Sequence, residues 1–210
     1  MTIGQFVRRL FGPLEKPVSV GYRAIFINLS DLARQIKCWA IASNILDIGC
    51  GEGIFTEHLI REYPNADIVG IDISPTIGRM LKVDMRRVVL KQETIEKIAA
   101  EYPSAFDLIT IVDVMHHVLA ADHKNLLIQA RKALRPGGYL IIKEWEPSPD
   151  FINALAYFMD RFIGGAPVNC LSAKELRELV NSVFGQGSIK QEIRIKPYKN
   201  NITFLIQNLS

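Results

Sequence analysis

A chain of 210 residues, 49% apolar and 22% charged, suits one globular domain with a sizeable core and excludes a disordered protein. A net charge of +3 at pH 7 is too small to argue for a nucleic-acid partner, which normally shows as a strongly basic, clustered surface. Cys38, Cys50 and Cys170 have neither C-x-x-C nor metal-ligand spacing, so reduced thiols and a cytoplasmic setting are expected.

Residues 1–20 hold a short amphipathic turn, Phe6 to Phe11, broken by Gly12-Pro13 and Pro17 and expected to be a loosely packed terminus, with a flap over the active site or a surface anchor for membranes as the alternatives. After Arg8-Arg9 the apolar run is only Leu10-Phe11, too short for a signal peptide. No stretch reaches the roughly 20 apolar residues that span a bilayer. Ile25, Leu29, Leu32 and Ile36 keep helical spacing between Tyr22 and Ile41, in one long helix or two short ones with Ser30 or Asp31 as a cap.

Next comes the stretch around which the chain is organised. Ile45, Leu46 and Ile48 read as a buried strand; Gly49, Gly51 and Gly53 follow, and Ile54, Phe55, Leu59 and Ile60 return to helical spacing. Such a strand, glycine loop and helix lets a ligand approach the main chain and meet free N–H groups at the helix start. The spacing is not G-x-G-x-x-G, because the sixth position is Ile54, and no Lys-Ser or Lys-Thr completes a phosphate loop. A second strand, Asp67 to Ile73, carries Asp72 about 20 residues past the loop, where an acid binds ribose hydroxyls in a βαβ unit. Ser74-Pro75 predicts a helix start, with Gly78 making that helix irregular.

Val88 to Leu90 is a short third strand. The fourth, Phe106 to Val114, is nearly all apolar, as a central parallel strand should be, and delivers Asp113, Met115, His116 and His117 to the carboxyl edge of the sheet, where ligands bind. On an extended strand at most one of the two histidines faces the cleft; His117 is the preferred base and His116 the preferred cofactor-lining residue, with a purely structural pair as the alternative. No third ligand is spaced to make a metal site with them, so no metal is expected. Asp122 is a candidate cap for a helix with Leu126, Leu127, Ala130 and Leu134 inward, ended by Pro136-Gly137-Gly138. A fifth strand, Tyr139 to Lys143, presents Glu144-Trp145-Glu146 at the same edge: Trp145 as a wall of the substrate pocket, a neighbouring carboxylate as base or as orienter of a histidine, or both acids simply solvated.

Phe151 to Phe162 is apolar almost throughout, which predicts a lid helix over the substrate, with Tyr157 facing it, or else a core layer or dimer contact. Ser172-Ala173-Lys174-Glu175 is a capping-box pattern ahead of a structural helix, and Ile189 to Ile195 and Ile202 to Ile206 read as the last two strands. The expected organisation is a single domain: an N-terminal helical cap over 1–42, a cofactor core over 43–146, a lid and helix over 147–185, and a terminal strand pair over 186–210.

Leu46 to Gly53, Gly70 to Pro75, Phe106 to Ile109 with Met115 to Val118, and Leu134 to Leu140 together resemble the successive motifs of class I S-adenosylmethionine-dependent methyltransferases. They are most similar to the small-molecule branch that includes quinone-biosynthesis enzymes. The resemblance implies a Rossmann-like, doubly wound α/β sheet of seven strands, mostly parallel with an antiparallel last strand and helices on both faces. It implies S-adenosylmethionine as cofactor and S-adenosylhomocysteine as product. Asp47, Gly49, Cys50, Gly51, Gly53, Asp72, Ile73, Glu93, Thr94, Asp113 and Met115 are the expected cofactor residues. Glu93 stands where relatives carry the acid of Gly-Asp-Ala beside the adenine, one methylene longer. Tyr22, Glu144, Trp145 and Tyr157 are the expected substrate residues, and the acceptor is a small, partly apolar molecule methylated on oxygen or carbon by a monomer or homodimer. A non-catalytic cofactor-binding module is the alternative. A nucleic-acid enzyme is disfavoured, because Asp113-Val114-Met115-His116 replaces the [ND]-P-P-[FY] signature.

Overall fold

The computed structural model describes residues 28–82, 85–146, 170–196 and 200–210. The N-terminal turn, Tyr22 and the proposed lid helix with Tyr157 lie outside the described residues.

Seven strands form one sheet in the order β3-β2-β1-β4-β5-β7-β6. They are β1 (Asn44–Ile48), β2 (Asp67–Ile71), β3 (Val88–Lys91), β4 (Phe106–Val112), β5 (Leu134–Trp145), β6 (Ile189–Arg194) and β7 (Asn201–Gln207). The first five pair in parallel, while β7 runs against both β5 and β6. This is the expected doubly wound order, reversing between β1 and β4, and a crevice opens at such a switch point.

Helices cover both faces, as a parallel sheet requires. On one face α1 (Leu29–Trp39) and α2 (Ile54–Glu62) bury Leu32, Ile36, Phe55 and Leu59 against Ile45, Leu108 and Ile141. On the other, α3 (Ile95–Glu101), α4 (His123–Ala133) and α5 (Ala173–Phe184) bury Ile98, Leu127, Leu176 and Val180 against Leu46, Ile109 and Ile142. Even and odd positions of one strand thus feed two separate cores.

Several boundaries differ from the expectations. The cap of α1 is Asn28, whose side chain accepts the Asp31 N–H, and not Ser30 or Asp31. Ser172 closes the capping box with Glu175 as expected, but Asp122 makes no side-chain cap bond. The segment after Ser74-Pro75 is a set of turns, not a helix. Its N–H groups have been captured elsewhere: Gly78 donates to Gly51 O at 2.9 Å and Met80 to Glu52 O at 2.9 Å. Those bonds press the segment against the glycine loop, where a Cβ on Gly78 would lie 2.0 Å from Leu90 Cδ1. The helix stops at Ala133, short of Pro136-Gly137-Gly138; Leu134, expected on its inward face, instead opens β5, opposite Phe106 and with a register shift before Leu108.

Candidate active site

The glycine loop leans on its neighbouring strand, since Gly49 N and Cys50 N both donate to Ile71 O, at 2.8 and 3.0 Å. Two of its glycines serve opposite ends. A Cβ on Gly49 (φ +70°) would sit 2.4 Å from Val114 Cγ2, so this position is glycine because the end of β4 is packed against it. A Cβ on Gly51 (φ +53°) would meet nothing closer than Asp72 Oδ2 at 4.0 Å, so this position opens onto the crevice.

Asp72 stands at the end of β2 and ties the crevice together: one carboxylate oxygen accepts Gly51 N at 2.8 Å, the other Ser74 N at 2.7 Å. A carboxylate offers about four lone-pair sites, so both oxygens can accept a further donor. Ile73 beside it is 76% exposed, a large apolar side chain held on the surface of the cleft. Glu52 pairs with Arg79 at 2.6 Å and fixes the far side of the loop. Glu93 pairs with Lys97 on the next helix, and Thr94 caps that helix by position alone.

Beneath the loop Asp47 is buried and accepts hydroxyl bonds from Thr56 at 2.6 Å and Thr110 at 2.8 Å. Burial pushes its carboxyl up to about 6, against the pull of those two bonds. Burial likewise raises the Cys50 thiol well above its ordinary range, so it is no nucleophile at neutral pH.

The chain leaves β4 at Asp113, whose φ of +57° is rare for a residue with a side chain, and passes into a short 3-10 turn, Met115–His117. The histidines therefore do not alternate as they would on a strand; their rings pack 4.1 Å apart, with His116 buried and His117 exposed. Two consecutive residues of β5 grip this turn from the two faces of the sheet. The buried Lys143 ammonium donates to Asp113 Oδ1 at 2.6 Å. The buried Glu144 carboxylate accepts Val114 N at 2.9 Å and Met115 N at 2.6 Å on one oxygen, and lies 2.7 Å from His116 Nδ1 with the other. A carboxylate accepts, so Nδ1 carries the proton of His116. His123, which sequence reasoning passed over, closes the turn from below, its Nε2 donating to Met115 O at 2.8 Å and Val118 O at 3.1 Å.

Neither Glu144 nor Glu146 is solvated: Glu144 is spent on the turn, and Glu146 accepts Ala173 N at 2.9 Å and pairs with Arg194 at 2.6 Å. Trp145 is buried between them. The missing third metal ligand does exist in space, because Asp113, His116 and Glu144 bring three ligand atoms within 4.8 Å of one another. The positive charge in that cluster is already the protein's own, in Lys143. A separate cavity of about 500 Å³, lined by Ser104, Lys124, Arg131 and Leu134, lies at the amino end of β5, away from this edge.

The sequence model of the methyltransferase-domain family matches residues 3–183. Among curated relatives, the ubiquinone biosynthesis O-methyltransferase of Photorhabdus laumondii is 31% identical over 100 residues, covering 46% of this chain and 40% of that protein. The enzyme of the same description from Pectobacterium carotovorum is 29% identical over 136 residues, covering 62% and 51%. The chain thus matches about half the length of these relatives, or less. A Burkholderia thailandensis 1,6-didemethyltoxoflavin-N1-methyltransferase, crystallised with 1,6-didemethyltoxoflavin and S-adenosylhomocysteine, shares the fold with a TM-score of 0.67 at 14% identity, over 100% of this chain and 92% of that one. An O-methyltransferase family protein of the same organism does so with a TM-score of 0.68 at 16% identity, over 87% and 55%.

Proposed function

Since the chain belongs to the methyltransferase-domain family, whose sequence model spans residues 3–183, we propose that it moves the methyl group of S-adenosylmethionine onto oxygen or carbon of a small, partly apolar acceptor. The observation that carries this reading is the pairing of an open Gly51 with the Asp72 carboxylate across 2.8 Å at the switch point of the sheet. Bound there, the cofactor supplies an electrophilic methyl carbon on a positively charged sulfur, which leaves as neutral S-adenosylhomocysteine.

Each residue then has a part. Asp72, held in place by two backbone amides, accepts the ribose hydroxyls, and Gly51 admits the nucleoside to the main chain. Ile73 gives the base an apolar face. Met115 and Asp113 close the crevice from the end of β4, and Asp47, beneath the loop, ties the start of α2 to β4 through Thr56 and Thr110. His117, exposed at the tip of the 3-10 turn, takes the acceptor's proton, while Glu144 and His116 hold that turn still. Orientation of this kind supplies up to roughly 7 to 11 kcal/mol in well-held reactions, so few catalytic groups are needed.

The ubiquinone biosynthesis relatives support an oxygen acceptor. Calorimetric titration of the full chain with S-adenosylhomocysteine tests the reading. Asp72→Ala is expected to weaken binding at least about tenfold, a loss of ~1.4 kcal/mol, with the circular dichroism spectrum intact. Equal affinity in the two proteins contradicts the ribose assignment, and no binding by the parent chain contradicts the function.

A further inference from the structure

We propose that the cavity of about 500 Å³ at the amino end of β5 is a second ligand site, which takes a small organic phosphate with an apolar body. Its occupant is neither the cofactor nor the methyl acceptor. From Leu134, on the cavity wall, to Trp145, at the edge of the crevice, β5 runs 12 residues, roughly 35 Å of extended chain.

There is room for such a molecule, since small-molecule sites commonly measure about 300–1,000 Å³. One wall is a face of α4, where Lys124, Ile128 and Arg131 follow at spacings of four and three residues, with Lys132 beside them. Ile128, Leu134 and Val183, the last from the end of α5, supply apolar surface.

Every charge on the lining side chains is positive: Lys124, Arg131 and Lys132, with no acid among the lining residues. None of the three has an ion pair among the described residues, and the neighbouring Arg135 is occupied by Asp107 at 2.8 Å. Helix stability accounts for only part of this charge. Cations suit the last turn of α4, but Lys124 is its second residue, where the helix dipole opposes a cation.

The guanidinium is held in place in advance. Arg131 donates to Val183 O at 2.6 Å and to Ser210 Oγ at 2.9 Å, which leaves three of its five N–H donors for a ligand. Behind it the buried Asn208 gives its amide hydrogens to Leu134 O and Arg135 O, at 3.1 and 3.2 Å, and its oxygen accepts the Ser210 hydroxyl at 2.9 Å. A planar fork fixed in this way loses little freedom when it meets a phosphate, which it can bind with two parallel bonds. The doubly charged phosphate also answers the lysines, as a single carboxylate does less well. A cation would be repelled, and a wholly apolar molecule would strip water from three charges and replace none of it.

The probe is 1-naphthyl phosphate, titrated calorimetrically into the full chain, with inorganic phosphate and 1-naphthol as its two halves. The parent chain is expected to bind one naphthyl phosphate at least about tenfold more tightly than either half. Lys124→Gln combined with Lys132→Gln replaces two exposed side chains that make no hydrogen bond among the described residues. This double variant is expected to weaken the probe at least about tenfold with the circular dichroism spectrum kept, and Arg131→Gln to do likewise. If Arg131→Gln does not fold, the lysine variant decides the matter. No binding by the parent chain, equal affinity in the lysine variant, or displacement of the probe by S-adenosylhomocysteine overturns the site. Either half binding as tightly as the whole overturns the ligand class.

Discussion

Replacing Gly49 by alanine puts a number on how tightly the glycine loop is joined to the end of β4. The position has φ +70°, which costs a residue with a Cβ about 1–2 kcal/mol. The new Cβ would lie 2.4 Å from Val114 Cγ2 and 3.0 Å from Cγ1, a collision that forces the turn after β4 to move and adds about 1–3 kcal/mol. Lost unfolded-state entropy returns about 0.4–1 kcal/mol, leaving a net loss of roughly 1 to 5 kcal/mol. Gly51→Ala is the internal control: φ is +53° but nothing lies closer than 4.0 Å, so only the backbone strain remains. Urea unfolding of the ligand-free chain measures both, and Gly49→Ala combined with Val114→Ala isolates the collision as a coupling of about 1–3 kcal/mol. If Gly49→Ala and Gly51→Ala unfold at the same midpoint, or if shortening Val114 gives no relief, the packing argument is wrong.

Asp47→Asn tests the buried acid. Its carboxyl titrates near 6 in the folded chain against 3.8 when exposed, so the folded state binds a proton more tightly. That contribution is full below about pH 4 and lost as pH rises through 6, up to roughly 3 kcal/mol. Stability of the parent should therefore fall from pH 4 to pH 7 more than that of the variant; parallel curves by urea unfolding contradict this. Glu144→Gln takes the charge from two amide bonds and the His116 contact, and is expected to cost about 1–3 kcal/mol and to shift the pH profile of methyl transfer. An unmoved profile removes Glu144 from the positioning role. His123→Phe leaves Met115 O and Val118 O without their donor and should cost a similar amount in thermal unfolding, with S-adenosylhomocysteine affinity kept.

The sheet was legible because its strands are local signals. Ile45 to Ile48 and Phe106 to Val112 are largely apolar; β1 lies where its run predicts, and β4 starts where its run predicts but stops at Val112, two residues short of the expected Val114. Asp72 was legible for the same reason, being an acid at the end of such a run. Of the polar lattice behind the histidines only a carboxylate beside Trp145 orienting one of them was legible, the part Glu144 takes at 2.7 Å from His116 Nδ1; the rest was not. Glu144 and Val114 are separated by 30 positions, as are Lys143 and Asp113, and only the β4–β5 register brings them together; in sequence the acids look like a charged loop before two prolines. The turn at Ser74 to Met80 misled for a related reason. Proline announces a helix start, but carbonyls of a distant loop compete for the same N–H groups, and no local pattern reports that competition. The histidines were placed on a strand because Val114 and Met115 are apolar enough to extend one, whereas Asp113 had already turned the backbone.

Lys143 and Glu144 are neighbours in the chain and opposite in charge, and they deliver those charges to opposite sides of one turn. Alternation along a strand has period two, so deleting one residue of β5 ahead of Lys143 would bring Glu144 to face Asp113, whereas inserting one would bring Lys143 to the amides of Val114 and Met115. Strand length here is thus a polarity setting as much as a packing choice: loops elsewhere on this scaffold can lengthen or shrink, but a slip of β5 in either direction sets like against like.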